Sequence, residues 1–353
     1  MKNREIVFGG VSTRELLLLI RQLYASIHAG YDVSQALDIA SYQAHGRLRQ
    51  ILGDVQKSVA GGSYLYEAFE KHKKYFSPLF LSLIKTGESS GTLADNLKRL
   101  LVIVEKEQRF RQKLKSAMIY PAFVLLMVIF LGLSISIFVL PTLLPLFASL
   151  NVDLPISTKI LMWFAQVFKA HGATIFFGFI GAVVYLFWLS GQTMAKPYTH
   201  WLALNFPFFG PLNKKLILAR FGDSLGSLMR SGVPIDTSLQ IMVDVIENHY
   251  YQKAIRSMIH SLEKGRTLSY VLEQNPDLFE GIFVKLISLG EITGSLADVC
   301  ENVSDYYNDE VDETMKNISV TLEPALLLIV GGLVLFVALA ILGPIYKLTG
   351  SIR

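Results

Sequence analysis

What this chain has least of is charge. Only 18% of its 353 residues are Asp, Glu, Lys or Arg, against 52% hydrophobic, a balance too apolar for an average soluble protein. The charge is missing in blocks: residues 122–140, 173–190 and 325–346 hold none. The first and last blocks, 19 and 22 residues long, meet the length that about 30 Å of hydrocarbon requires. The middle block, 18 residues rich in Phe and Gly, is marginal and is read as a span in the company of the other two. A single cysteine, Cys300, excludes an intramolecular disulfide framework. The first eleven residues are short and polar, so no secretory signal peptide is expected there.

Other absences exclude chemistry. No Gly-Lys pair occurs anywhere, so there is no P-loop for a nucleoside triphosphate. No His-Glu-x-x-His or Cys/His cluster exists, and the seven histidines are scattered, so no metal is expected. The uncharged blocks offer none of the ionisable groups that transporters and proton channels place within the membrane. The expectation is a protein that is not an enzyme and has no cofactor.

What is there is a duplication. Residues 87–95 read Gly-Glu-Ser-Ser-Gly-Thr-Leu-Ala-Asp and residues 290–298 read Gly-Glu-Ile-Thr-Gly-Ser-Leu-Ala-Asp, 203 positions later. The register extends in both directions. Gly30 matches Gly232 at an offset of 202; Leu65 matches Leu268, Phe76 matches Phe279 and Pro121 matches Pro324 at 203. Each copy is a polar region followed by an apolar span, with Pro121 and Pro324 at the span entrances. A period this long is a duplicated domain and not a solenoid of short units.

Parity then sets the topology. Two copies with one span each would face opposite sides of a membrane, and the extra span at 173–190 returns the chain to its starting side. Lys106, Arg109, Arg111, Lys113 and Lys115 precede the first span, whereas residues 148–172 carry only Lys159 and Lys169 as cations, which puts both large domains in the cytoplasm. The third span is oriented by parity alone. The expected organisation is a first cytoplasmic domain over 1–119, a span over 120–147, an external loop over 148–172, a span over 173–190, a second cytoplasmic domain over 191–322, a span over 323–346 and an external tail over 347–353.

Within the polar domains apolar residues recur at helical spacing, as in Leu16, Leu19, Ile20, Leu23 and Ile27. Gly30 and Gly232 are placed to close the first helices, and Asp32, Ser34 and Asp236 to cap the next. Helices are expected at 34–44, 47–60, 64–72, 79–89 and 92–119, and again at 214–231, 236–247, 249–264, 267–274, 281–290 and 295–322. The fold class is an all-α membrane protein: two homologous cytoplasmic six-helix bundles and three transmembrane helices.

The repeated motif is Leu83, Gly87, Glu88, Gly91 and Leu93 in the first copy and Leu286, Gly290, Glu291, Gly294 and Leu296 in the second. Its glycines suit a tight turn between two helices, Thr92 or Ser295 can start the long helix that follows, and its leucines pack the turn down. Glu88 and Glu291 have two readings, a carboxylate holding nearby backbone N–H groups or a contact to a partner protein. The structural reading is preferred, because fold maintenance explains two copies without two partners.

The copies differ in charge. Residues 1–119 carry a net +7 and residues 191–322 a net −5. Lys98, Lys106 and Arg109 correspond to Glu301, Asp309 and Asp312, and Asp298, Glu301, Asp305, Asp309 and Asp312 share a helix face. This is either a solvated face, worth about 0–1 kcal/mol per exposed pair, or a pair of complementary surfaces in which the basic helix of one copy meets the acidic helix of the other, within or between chains.

Two helical domains, three spans and a duplicated Gly-Glu-x-x-Gly-x-Leu before Pro121 and Pro324 resemble the platform proteins of type II secretion and type IV pilus machines, the GspF/PilC family, over residues 14–348. The short N-terminal region resembles the shorter forms of type IVb pilus systems. The resemblance implies a non-enzymatic, multi-pass, homo-oligomeric protein of the bacterial inner membrane. Its implied partners are a cytoplasmic hexameric secretion or pilus-assembly ATPase, pilin or pseudopilin, other inner-membrane assembly proteins and the lipid bilayer; nucleic acid is not among them. A membrane scaffold or transporter-like protein unrelated to pili is the alternative.

Overall fold

The computed structural model describes residues 11–135, 138, 195–207 and 209–351, with isolated positions between 156 and 181. Most of the span expected over 173–190, most of the loop over 148–172 and the end of the first span lie outside the described residues. Among those described, every regular element is a helix. The first copy holds α1 (Thr13–His28), α2 (Val33–Gln43), α3 (Gly46–Ala60), α4 (Leu65–Glu70), α5 (Pro78–Ser90) and α6 (Leu93–Ser134). The second holds α8 (Phe209–Arg230), α9 (Ile235–Val245), α10 (His249–Glu263), α11 (Leu268–Glu273), α12 (Gly281–Thr293) and α13 (Leu296–Ser351), preceded by α7 (Lys196–Asn205).

The chain divides into two units. The first, Met1–Gln112 with Pro197–Glu313, contains both copies of the repeat. In each copy consecutive helices lie side by side in the same order, α1 to α5 and α8 to α12. The local sequence explains their ends. Ser12 caps α1 by accepting from Glu15 N at 3.2 Å, and Glu15 reaches back to Ser12 N at 2.8 Å. Gly30 and Gly232 take φ of +91° and +86°, the left-handed region where other residues meet their own Cβ. Asp32 caps α2 through Gln35 N at 2.8 Å, while Ser34 lies inside that helix and makes no cap. In the second copy Pro234 holds the N-cap position and Asp236 sits in the first turn, so there the carboxylate favours the helix dipole without being the capping residue.

Buried positions repeat with the sequence. Phe76 and Phe80 stack at 4.8 Å and Phe279 and Phe283 at 5.6 Å; Leu65 and Leu268 are both fully buried. Helix α7, absent from the sequence expectation, docks on the second copy: His249 N donates to His200 Nδ1 at 2.9 Å.

The second unit, Lys113–Lys196 with Thr314–Arg353, takes in the C-terminal parts of α6 and α13. Among the described residues, the helix bearing residues 93–132 is long and apolar enough to cross a membrane, and Pro324–Ala340 is a shorter apolar stretch. Phe123, Leu126 and Phe130 in α6 and Leu327, Leu328 and Leu335 in α13 are exposed, as side chains facing lipid would be. The division at 119/120 is not a break in the helix, since Pro121 lies within α6, and at 322/323 α13 likewise runs through Pro324 and on to Ser351. Proline costs an internal hydrogen bond, but in an apolar stretch continuing the helix is what satisfies the remaining backbone groups.

Candidate functional site

The repeated turn is built the same way twice, and each motif residue has a distinct job. Gly87 and Gly290 are buried, and a Cβ at Gly87 would sit 2.8 Å from Leu93 Cα, one at Gly290 3.1 Å from Leu296 Cα; the missing side chain lets the next helix come down onto the turn. Gly91 and Gly294 end their helices at φ +73° and +70°. Leu83, Leu93 and Leu296 are buried, and Leu286 is half-buried. The hydroxyls of Thr92 and Ser295 pair with Ser90 and Thr293 at 2.7 and 2.6 Å.

Glu88 and Glu291 each hold the start of a short helix 22 or 23 residues earlier in the chain. Glu88 accepts from Leu65 N at 2.6 Å and from Tyr66 N at 3.0 Å. Glu291 accepts from Leu268 N, from Ser269 N at 2.9 Å and from Ser269 Oγ at 2.7 Å. α4 and α11 have six residues each, too few to persist alone. A carboxylate on their free N–H groups satisfies donors that have no intrahelical partner and favours the positive end of the dipole.

The second feature is the face where the copies meet. Helix α5 lies against α8 and α9. Lys106 on α6 reaches across to Asp223 on α8 at 3.0 Å and to Asp305 on α13 at 2.9 Å. Burial lowers the Lys106 pKa, but the carboxylates of Asp223 and Asp305 outweigh it, and the net shift is upward from the ordinary lysine value. A raised folded value means that, while the two carboxylates are ionised, the lysine's contribution is fully present below its ordinary titration and is lost as pH rises through the raised value. Beside it the buried Asn96 donates to Leu83 O at 3.0 Å and accepts from Ser231 Oγ at 2.8 Å, so one amide ties the motif turn of the first copy to the second copy.

Of the expected charged residues, Lys106 and Asp305 make this bridge; Lys98 lines the same cleft between the copies. Glu301 pairs with Arg230 of its own copy, which also binds Asp298 at 2.7 Å. Arg109 and Asp309 form no ion pair with each other among the described residues. Sequence reasoning missed Asn96, Asp223 and Ser231. Their signal lay in the repeat alignment, where the corresponding residues are Val299, Arg21 and Ala29.

Two further glycines shape the second copy. A Cβ at Gly222 would stand 2.5 Å from Cys300 O, and one at Gly226 3.2 Å from Ala297 O, so α8 and α13 touch backbone to backbone. Cys300 at that crossing is fully buried, and burial pushes its thiol up to about 12, far from the exposed, low-pKa thiolate of a reactive cysteine. Among the described residues no group of His, Cys, Asp and Glu could hold a metal.

A fold of two equivalent helical bundles, with the same turn before each apolar helix, is what the comparison with known families matches. The family model for type II secretion system (T2SS) protein F matches residues 19–141 and again residues 221–344. The chain belongs to this family. Both matches end beyond the prolines, at corresponding places in the two copies. Similar proteins include a type IV pilus assembly protein PilC of Thermus thermophilus, 30% identical over 97% of this chain and 84% of the relative. A type II secretion system protein F of Aeromonas hydrophila is 30% identical over 99% of this chain and 91% of the relative. The type IV pilus assembly protein PilC of Myxococcus xanthus is 29% identical over 98% and 83%. Each of these relatives aligns with nearly the whole of this chain, both copies of its repeat included.

Proposed function

We propose that this chain is the inner-membrane platform of a type IV pilus or type II secretion machine. It couples a cytoplasmic hexameric ATPase to the extraction of pilin or pseudopilin from the bilayer. The observation that carries this reading is the match of both copies to the protein F family, with full-length relatives named for type IV pilus assembly and for type II secretion. The residues support it. Both polar domains carry their charges outside the apolar blocks, and the basic run 106–115 precedes the first of these; this bias supports a cytoplasmic side for both domains, with the third span following by parity. No P-loop is present in the sequence, so the motor is supplied in trans. Pilin helices meet the platform within the membrane, where the exposed apolar faces of α6 and α13 offer dispersion contacts and no charge.

The test is co-purification. The full chain, solubilised from its own membrane in mild detergent, is expected to retain a hexameric secretion ATPase of the same cell, and to hydrolyse no ATP once that ATPase is removed. Purified chain that hydrolyses ATP, or that never retains the ATPase under conditions where pilin is retained, would contradict the reading.

A further inference from the structure

The contact between the two copies leaves two faces open, and the repeat relates them to each other. Within the chain, α5 and α6 of the first copy meet α8 and α9 of the second. The repeat maps α5 and α6 onto α12 and α13, and α8 and α9 onto α1 and α2. The face of α12 and the face of α1 and α2 are therefore the two halves of the same contact, each without its other half. Their exposure agrees. Leu79 on α5 is 5% exposed, and its counterpart Ile282 on α12 is 43% exposed. Leu289 and Ile292 extend that stripe at 54% and 81%. On the other face Leu18, Tyr31 and Ile39 are exposed around a groove of about 350 Å³, whereas Val233 and Ile241, which match Tyr31 and Ile39, are half-buried.

The polar contacts translate too, with their chemistry exchanged at both ends. Lys106 and Asp223 map onto Asp309 and Arg21: both signs invert, and the pair is again attractive. Asn96 and Ser231 map onto Val299 and Ala29, so a hydrogen-bonded pair becomes an apolar one. A substitution at one end alone would have produced a clash of charge or an orphaned polar group; here each end matches the other. Arg21 binds Glu105 at 2.7 Å within its own copy and keeps 55% of its side chain exposed, free to accept a second carboxylate.

We propose that a second copy of this chain docks its α1/α2 groove on the α12/α13 face, repeating between chains the contact that the first copy makes with the second. The interface is head to tail, so an open assembly of any length still presents one free face of each kind, one at each end, and the contact propagates until a ring closes. Charge sets the register through Asp309 and Arg21, and the stripe Ile282, Leu289 and Ile292 supplies the apolar area. This assembly concerns the chain alone and stands whatever machine it serves.

The experiment is disulfide trapping of the full chain in its native membrane, with Cys300 replaced by alanine. Asn96 and Ser231 touch through short side chains, so the pair Asn96→Cys with Ser231→Cys is the folding control and closes within one chain. Ala29→Cys with Val299→Cys, the translated pair, is expected to give a ladder of covalent dimers and higher multimers on mild oxidation, and neither single variant is expected to give any. Adding Asp309→Lys puts like charges opposite Arg21 and is expected to lower the ladder yield about tenfold, the effect of about 1.4 kcal/mol. An intact control with no inter-chain product overturns the proposal and assigns these faces to another protein. Dimers from Ala29→Cys alone overturn it in favour of a symmetric contact, and a ladder indifferent to Asp309→Lys overturns the register.

Discussion

Glu291→Ala is expected to release the N-terminus of α11 and to destabilise the second copy by about 3–4 kcal/mol, and Glu88→Ala to do the same to α4 and the first copy by about 2–3 kcal/mol. Hydrogen bonds to a charged group contribute roughly 1.5–3 kcal/mol each, and a half-buried donor left unpaired adds its desolvation. Glu291 serves three donors and Glu88 two. The contributions of neighbours sharing one carboxylate are not additive, hence totals below the sum. Glutamine keeps one accepting oxygen and should fall between glutamate and alanine. Hydrogen exchange reads the effect locally: the amides of Leu268 and Ser269, or of Leu65 and Tyr66, should lose protection before the rest of the bundle. The alternative role for these glutamates, a grip on a partner protein, predicts the opposite pair of results, unchanged exchange with lost assembly.

The second large effect is Gly222→Ala. Its new Cβ would lie 2.5 Å from Cys300 O and 3.0 Å from Ser304 N. Both are backbone atoms of α13, so no side-chain rotation relieves the clash and the two helices must separate. Phe221 and Leu225, buried on either side, then lose contact. Overpacking of this kind costs typically about 1–3 kcal/mol, and the upper end is expected because two backbones have to move. Gly226→Ala, at 3.2 Å from Ala297 O, should cost about 1 kcal/mol. Gly53→Ala is the control: nothing lies within 4 Å of its Cβ in α3, and removing a helical glycine should stabilise by up to about 1 kcal/mol. Thermal unfolding of the three purified variants in one detergent ranks them, and a Gly222→Ala protein as stable as Gly53→Ala would refute the close crossing.

Much of this architecture is legible in the residues because helices and duplication are both periodic. The i, i+3, i+4 stripes locate α1–α5 and α9–α12 to within a few positions, and the 203-residue offset between the motifs pairs the two copies. What escaped has physical causes. Helix α7 buries little beyond Leu204, so it carries no apolar stripe to detect. Pro121 and Pro324 read as boundaries by local chemistry, yet apolar surroundings favour an unbroken helix. Pro234 stands at the cap that Asp236 was expected to fill. The hydrogen bonds of Glu88 and Glu291 end on backbone N–H groups, which every residue but proline owns, so nothing in the sequence marks the acceptor's target. The charge contrast between the copies was visible, but not that Lys106 would cross to Asp305, nor that Asp223 would share it. That choice depends on the angle at which α6 meets α8 and α13, a tertiary quantity. Asn96 and Ser231 are 135 positions apart, beyond the reach of any local pattern.

Deleting the gene for this chain, with pilin and ATPase genes left intact, puts the platform reading to its most direct test. The account predicts that processed pilin or pseudopilin accumulates in the inner membrane at its usual level while surface filaments or secreted substrate disappear, and that the intact chain supplied in trans restores them. Normal filaments and normal secretion in the deletion strain would contradict it.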